Sequence, residues 1–328
     1  MAAEEWYGRG GVWWRVDLAR AIRVARRRCD VLLVDTWLYR HLWPVLWSAA
    51  RGSGAQVVSF SQLSYWPLRR SARSRSLHHW MTRFFLRAVH AHVGVSNAVL
   101  QEDLGNLRGR RPEAVVYPGN NFAGLELVPG AQEQDGAPAM LISVGNYTPR
   151  KGFHVLLQAL ADLAAPDAQL ADRVQLRLVG NRAFSPEYVQ RLRDEACRLG
   201  VEECVILDDW KSPGELSTLL AGADLFLLAS SGEGFGIVLA DALLHGLPAV
   251  VTATPVAREL MGTEPMPGCV VPARDPAAMA AAIGKLLELP ADERLEMRLR
   301  ARQRGLEIGQ PWPDALDAFD LALRRFGA

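Results

Sequence analysis

The chain has 328 residues, of which 49% are hydrophobic and 22% are charged, and its formal net charge is +1 at pH 7. A length of this order suits two domains, each with its own hydrophobic core, and the composition is that of a soluble globular protein. The near-neutral charge argues against nucleic-acid binding, and no run reaches the roughly 18 uncharged apolar residues that a membrane span requires.

The four cysteines lie far apart and form no C-x-x-C pair, which predicts a reducing compartment with neither a disulfide framework nor a zinc site. The first residues include Glu4 and Glu5 and lack the apolar segment of a secretory signal peptide. We therefore expect a cytoplasmic protein. Lysine supplies only three of the 37 basic residues, which favours a GC-rich bacterial genome. The cysteines are Cys29, Cys197, Cys204 and Cys269.

Short apolar strands alternate with helical stretches in the first third of the chain. This alternation predicts a parallel, doubly wound sheet. After Tyr117 a stretch rich in Gly, Pro and acidic or amide residues predicts a linker, which sets a domain boundary between about residues 122 and 138. The N-terminal domain then covers residues 1–125. One predicted strand begins at Val31, and the others are residues 56–60, 92–96 and 114–117.

The alternation of strands and helices restarts after the linker and continues through residues 138–310. Two such sheets in tandem predict an α/β protein with two Rossmann-like, doubly wound domains and a ligand cleft between the carboxyl ends of their strands. The predicted strands are residues 140–145, 174–180, 205–207, 224–229 and 249–252, and the predicted helices are residues 152–164, 186–199, 212–221 and 235–245.

A Gly-rich loop carries the strongest chemical signal in the chain. The run SSGEGFGIVLADALLHGLPAVV begins at Ser230 and puts one acid in the loop and a second about two turns into the following helix. Backbone N–H groups at such a helix start favour anions, and two carboxylates suit a polyhydroxylated ligand. The pattern predicts a nucleotide-sugar site. Its candidate residues are Glu233, Gly234, Phe235, Gly236 and Asp241.

This segment resembles the donor-site signature E-x7-E of retaining glycosyltransferases of the GT-B fold, family 4. The resemblance implies that Glu233 contacts the donor sugar and that the second acid binds the ribose hydroxyls. Asp241 stands where a glutamate is usual, so the charge is kept on a side chain one methylene shorter. The likeness covers nearly the whole chain and is strongest over residues 140–260. It also implies that a final helix, residues 312–328, packs back on the N-terminal domain.

A second polar turn follows the strand that ends at Gly145. Arg150 and Lys151 open a helix there, and cations at a helix N-terminus form a diphosphate site because the side chains and the helix dipole both favour negative charge. In the family this turn usually reads G-R-x4-K-G. Lys151 matches the family lysine, whereas Asn146 replaces the family arginine. The alternative is a solvated Arg-Lys pair at an ordinary helix start.

The resemblance implies further donor contacts. Gly180 and Asn181 end a strand at the edge of the predicted cleft, and Trp210 lies where the family holds the nucleobase, as either a stacking or a packing residue. Gly10 and Gly11 match the N-terminal Gly-rich loop of the family, although no buried strand precedes them. The histidine with which the family often contacts the donor sugar has no counterpart in this chain.

The region between Asp35 and Glu102 contains no acidic residue and is rich in arginine, above all in residues 69–87. Three interpretations stay open. They are a solvated helix face, peripheral docking on the anionic inner face of a membrane, and recognition of a phosphorylated or acidic acceptor. The arginines are Arg40, Arg51, Arg69, Arg70, Arg73, Arg75, Arg83 and Arg87.

Together these features predict a retaining glycosyltransferase that moves a sugar from a nucleoside-diphosphate sugar to an acceptor hydroxyl. The acceptor is a glycan, a lipid-linked molecule or a small molecule. Lys151 and Glu233 are the predicted catalytic residues, with Lys151 stabilising the leaving diphosphate. Relatives of this fold use no metal for the diphosphate, so we expect neither metal nor cofactor.

A non-catalytic GT-B-like partner subunit is the alternative, which the departures at Asn146 and Asp241 favour. A dinucleotide-dependent oxidoreductase is a weak third interpretation, because no G-x-G-x-x-G motif follows a strand.

Overall fold

The computed structural model of the chain describes residues 30–35, 56–62, 84–105, 111–120, 122, 137–164 and 173–327. The chain divides into two compact units, of which the first comprises Met1–Tyr117 with Ala315–Ala328 and the second Pro118–Asp314. Three features predicted above lie outside the described residues. They are the glycines Gly10 and Gly11, residues 63–83 of the arginine-rich region and residues 123–136 of the linker.

The first unit contains a four-stranded parallel sheet with the strand order β1-β2-β3-β4. The register pairs Val31 with Gln56 and Ser59 with His92. Helix α1 (Asn97–Leu104) follows β3, and the hydroxyl of its N-cap Ser96 accepts a hydrogen bond from the backbone of the first turn. The strands are β1 (Val31–Asp35), β2 (Gln56–Ser61), β3 (Ala91–Gly94) and β4 (Glu113–Val115).

The second unit is built on a six-stranded parallel sheet with the order β11-β10-β9-β6-β7-β8, and a further pair of short strands joins β5 to β12. Its strands are largely continuous apolar runs, as expected for a parallel sheet covered by helices on both faces. They are β5 (Gly119–Asn120), β6 (Ala139–Val144), β7 (Val174–Val179), β8 (Val205–Asp208), β9 (Leu225–Leu228), β10 (Ala249–Thr252), β11 (Gly268–Val271) and β12 (Gln310–Pro311).

Helix starts in the second unit follow the local sequence. Ser212 and Glu215 form a capping box at α4, and Thr254 and Asp275 cap α6 and α7 with their side chains. The helices that follow α1 are α2 (Phe153–Ala164), α3 (Pro186–Leu199), α4 (Pro213–Ala221), α5 (Ile237–Leu244), α6 (Pro255–Met261), α7 (Pro276–Leu287), α8 (Ala291–Ile308) and α9 (Trp312–Gly327).

Each unit has its own core. In the first unit Val58, Ala91 and Val93 pack against apolar residues of α9, and the rings of Phe60 and Phe319 meet edge to face at 5.5 Å. In the second unit the core cluster joins strands β6, β7, β9 and β10 to helices α2, α3 and α7. None of the helices in the described part of the chain is long and apolar enough to cross a membrane.

The prediction of an α/β fold with parallel sheets in two Rossmann-like parts is confirmed. The helix predicted over residues 235–245 begins later, at Ile237, because Gly236 has a φ of 81° and cannot continue a right-handed helix. Strand β11 and helices α6 to α8 were not predicted. Helix α8 is rich in charged residues, and its packed face carries only a few small or apolar residues, so its sequence shows no clear apolar periodicity.

Candidate functional site

The candidate site lies where the order of the six-stranded sheet changes direction, between β6 and β9. Ligands of open α/β sheets bind at such a switch point, because the loops after the two strands diverge. Strand β6 leads into a 3₁₀ turn, Pro149–Lys151, and β9 leads into the Gly-rich loop, residues 230–236. The amide of Ser231 donates to the carbonyl of Arg150 with an N···O distance of 2.9 Å and joins the two loops.

Two glycines allow this close approach. Gly152 follows the turn with a φ of 72°, and a Cβ atom there would lie 2.1 Å from the carbonyl oxygen of Ala229. At Gly145 a Cβ atom would lie 2.9 Å from Cε of Lys151, so the aliphatic part of the lysine rests on bare backbone. These contacts hold Lys151 beside the Gly-rich loop.

Glu233 sits between two cations. Nζ of Lys151 lies 2.8 Å from its Oε1 and Nη1 of Arg150 lies 3.4 Å from its Oε2, while the hydroxyl of Ser230 donates to Oε1 at 2.5 Å. The side chains of Lys151 and Glu233 are only 11% and 7% exposed. Burial acts to raise the pKa of Glu233, but Lys151 and Arg150 outweigh it, so this pKa lies below its usual value. Two positive groups therefore face one ionised carboxylate.

Asp241 has a different environment on α5. The residue is 3% exposed, and its Oδ1 has no hydrogen-bond partner among the described residues. Burial raises the pKa of Asp241 from 3.8 to about 7. Gly236 precedes this helix and offers no side chain to cap the first N–H groups. A buried carboxyl group without a partner is costly, and a ligand hydroxyl would relieve that cost.

A second polar cluster lies at the ends of β7 and β8. Asp208 bridges Arg177 and Lys211 with N···O distances of 3.0 Å and 2.8 Å. Burial acts to raise the pKa of Asp208, whereas the two cations lower it, and the net pKa lies below its usual value. Oδ1 of Asp209 accepts a hydrogen bond from the amide of Trp210 at 2.8 Å, and Trp210 itself is 67% exposed. Such exposure does not fit the interpretation of Trp210 as a packing residue.

Four other predicted donor residues lie in or beside these loops. A Cβ atom at Gly180 would lie 2.0 Å from the carbonyl oxygen of Gly145, so the ends of β6 and β7 are in backbone contact. Oδ1 of Asn181 accepts the amide of Ala183 at 2.9 Å and caps the turn after β7. Asn146 is exposed. Phe235 of the Gly-rich loop is buried.

Tyr147 has a role that the sequence pattern does not reveal. Its ring is fully buried, and its hydroxyl donates toward the carbonyl oxygens of Leu178 and Asp208 at 2.8 Å and 2.9 Å. Burial raises the pKa of Tyr147, so the phenol stays protonated as a donor. The residue ties the loop after β6 to the ends of β7 and β8. The sequence feature that could have drawn attention to Tyr147 is the presence of an aromatic residue within a polar turn.

The structure brings Arg150, Lys151 and Glu233 into direct contact and leaves Asp241 and Trp210 on separate elements of the same unit. Within the described ranges, no three His, Cys, Asp or Glu side chains form a group that could hold a metal ion.

A family model matches most of the second unit. Residues 129–305, more than half of the chain, match the model described as glycosyl transferases group 1. The chain therefore belongs to the group 1 glycosyl transferases.

Curated relatives match only in part. The putative colanic acid biosynthesis glycosyltransferase WcaL of Escherichia coli (strain K12) is 29% identical over 173 residues, which are 51% of this chain and 40% of the relative. The D-inositol 3-phosphate glycosyltransferase of Corynebacterium efficiens is 30% identical over 212 residues, which are 64% of this chain and 47% of the relative. The chain thus spans about half the length of the curated relatives it matches.

Solved structures resemble the fold over most of the chain. Sucrose-phosphate synthase from Thermosynechococcus elongatus has a TM-score of 0.74 and 19% identity, covering 96% of this chain and 78% of its own. Alr3699/HepE of Anabaena, solved in complex with UDP and glucose, has a TM-score of 0.71 and 18% identity, covering 94% and 81%. At such identities the likeness establishes the fold alone.

Proposed function

We propose that this chain is a retaining family 4 glycosyltransferase that moves a sugar from a nucleoside-diphosphate sugar to an acceptor hydroxyl. The observation that carries the proposal is the part-buried contact of Lys151 and Arg150 with Glu233 at the switch point of a parallel sheet. Family membership and the names of the relatives, which are enzyme activities, support a catalyst. They do not favour the alternative of a non-catalytic partner subunit.

Lys151 and Arg150 are the proposed diphosphate ligands. Two cations face one carboxylate, so the loop keeps a positive charge that attracts an anion. In the transition state the leaving diphosphate gains negative charge, and a fixed ammonium stabilises it more than it stabilises the ground state. Glu233 holds Lys151 in position before the donor arrives.

The two acidic residues, Glu233 and Asp241, bind different parts of the donor. Glu233 stays ionised because of its cations and accepts hydrogen bonds from hydroxyl groups of the sugar. Asp241 binds the ribose, whose hydroxyl groups supply the partner that its buried Oδ1 lacks among the described residues. The nucleobase stacks on the exposed Trp210. Gly180 and Asn181 lie close to this segment, since the amide of Gly180 donates to the carbonyl of Asp208 at 3.4 Å.

UDP is the first nucleotide to test, since two of the structurally similar proteins, HepE and the pneumococcal O-GlcNAc transferase GtfA, were solved in complex with UDP. For retention, the bond from the anomeric carbon to the diphosphate oxygen breaks. The acceptor oxygen forms the new bond on the same face, and its proton passes to the leaving phosphate. This route needs no side-chain base. The acceptor is a hydroxyl group of a glycan, a lipid-linked molecule or a small molecule.

The proposal is tested with a panel of UDP-, GDP-, ADP- and TDP-sugars. We expect slow release of free sugar and nucleoside diphosphate from one donor. The Lys151→Ala variant should lose about 100-fold or more of that rate because the leaving group loses its ammonium. The exposed Lys285 of α7 supplies the matched control, and Lys285→Ala should turn over like the wild type. Absence of turnover with every donor, or equal rates for both variants, would contradict the proposal.

A further inference from the structure

Three arginine side chains of helix α8 donate hydrogen bonds to backbone carbonyl groups at or near the ends of other helices in the second unit. Arg298 reaches the loop after α4, Arg302 reaches the last residue of α5, and Arg304 reaches the last turn of α6. The acceptors are Ala223 at 2.8 Å for Arg298, Leu244 for Arg302, and Leu260 and Glu259 at 2.8 Å and 2.7 Å for Arg304. Cations at helix C-termini stabilise the orphan carbonyl groups and the helix dipole.

Only one of these three contacts falls on the helix that carries Asp241. Arg302 meets α5 at Leu244, and Gly305 lies against the same residue, where a Cβ atom would come within 2.3 Å of the Leu244 nitrogen. The C-terminal end of α5 is therefore fixed by a charged donor and by direct backbone contact with α8.

The end of α5 is also fixed from within. Nδ1 of the buried His245 lies 2.7 Å from the carbonyl oxygen of Asp241, and its Nε2 lies 2.8 Å from the hydroxyl of Ser217. Because a carbonyl oxygen only accepts, Nδ1–H is the donor to Asp241. Burial lowers the pKa of His245, the hydrogen bond to the Asp241 carbonyl acts to raise it, Arg302 lowers it, and the net result lies below the usual value.

Helix α5 is short enough for its two ends to move together. It has eight residues, which is about two turns or about 12 Å. Its first N–H groups follow Gly236, which supplies no capping side chain. A small tilt at Leu244 would displace both Asp241 and the N–H groups that face the donor.

We propose that Arg302 is a positioning residue for donor binding. By holding the C-terminal end of α5, it sets the orientation of Asp241 and of the helix start after Gly236. The inference rests on the proposed function, in which these groups hold the nucleotide. It goes beyond the donor site itself, because Arg302 lies on another helix and donates to α5 at Leu244, the last residue of that helix.

Arg304 provides a matched control on the same helix. It donates to the end of α6, a helix to which no donor contact is assigned, and both arginines are partly buried. We expect Arg302→Met and Arg304→Met to lower the thermal unfolding temperature by similar amounts. Only Arg302→Met should weaken binding of UDP, or of whichever nucleoside diphosphate the wild type binds, by about fivefold to tenfold in calorimetry. Arg304→Met should stay within about twofold.

Two further variants separate positioning from loss of folding. Arg302→Lys keeps a cationic donor at Leu244, and it should recover most of the wild-type affinity. If Arg302→Met does not fold, the affinity of Arg302→Lys can still be compared with that of the wild type. In an Asp241→Asn background the effect of Arg302→Met on affinity should shrink to less than half, because both changes act on the same contact.

The outcomes distinguish the two proposals. If Arg302→Met and Arg304→Met weaken binding equally, or if the Asp241→Asn background leaves the Arg302 effect unchanged, Arg302 has only a structural role. If the wild type binds none of UDP, GDP, ADP and TDP, or if Lys151→Ala binds as tightly as the wild type, the proposed function itself is wrong.

Discussion

The Asp241→Asn substitution should remove the part of the pH dependence of the free energy of unfolding that comes from the buried Asp241 carboxyl group. The carboxyl group is 3% exposed, its Oδ1 lacks a partner among the described residues, and its pKa rises from 3.8 to about 7. A group whose pKa is raised by folding favours the folded state below its unfolded pKa, and this contribution is lost as the pH rises through the folded pKa. Because a tenfold change in an equilibrium constant is worth about 1.4 kcal/mol, the two pKa values correspond to about 4 kcal/mol.

Wild type and Asp241→Asn should therefore be about equally stable near pH 4, where both side chains are neutral and similar in shape. Above about pH 7 the variant should be the more stable protein by about 4 kcal/mol, because the wild type then buries a charge that has no cationic partner among the described residues. Urea unfolding between pH 4.5 and 8 measures the difference, and the titration of His245 cancels because both proteins contain it. The exposed Asp292→Asn should differ from the wild type by less than about 0.5 kcal/mol throughout. A pH-independent difference for Asp241→Asn would refute the reasoning.

Two further changes test the loops that carry the candidate site. Glu233→Gln removes the carboxylate that competes for Lys151, so UDP without a sugar should bind at least as tightly as to the wild type, while transfer falls about 100-fold. Calorimetry and turnover measure the two effects, and a parallel loss of both would argue against a sugar-binding role. Gly152→Ala should lower stability by at least about 2 kcal/mol, because φ is 72° and a backbone oxygen lies 2.1 Å from the new Cβ atom. Gly214→Ala, where nothing lies within 4 Å, is the control and should change stability in thermal unfolding by no more than about 1 kcal/mol in either direction. Equal losses for the two glycine variants would contradict the packing argument.

Much of the second unit was predictable because its signals are local. The strands of that sheet, such as Ala139–Val144 and Leu225–Leu228, are continuous apolar runs, and continuous runs of this length between helices are typical of buried parallel strands. The Gly-rich loop and the Arg150–Lys151 pair were found for the same reason, since small residues and cations at a strand-to-helix turn have a short-range chemical meaning.

Several features depend instead on contacts between distant residues. Lys151 and Glu233 are 82 positions apart, and nothing in either segment predicts an ion pair at 2.8 Å. Whether Asp241 is exposed or buried depends on what packs over α5, and the same spacing in the sequence would fit a surface acid. The arginines of α8 look like a solvated charged face until their carbonyl partners on other elements are known.

By itself, the sequence determined the class of fold, the order of most strands and helices in the second unit, and the chemistry of the two loops. Those properties depend on residues close together in the chain, where periodicity, glycine and capping residues act directly. Only the tertiary structure decided that Lys151 is held by Glu233 and that Asp241 is buried with no charged partner among the described residues. It also decided that Arg302 of α8 donates to the end of α5, the helix that carries Asp241. Charge pairing and burial are set by neighbours in space, and these come together only when the sheet and its helices pack.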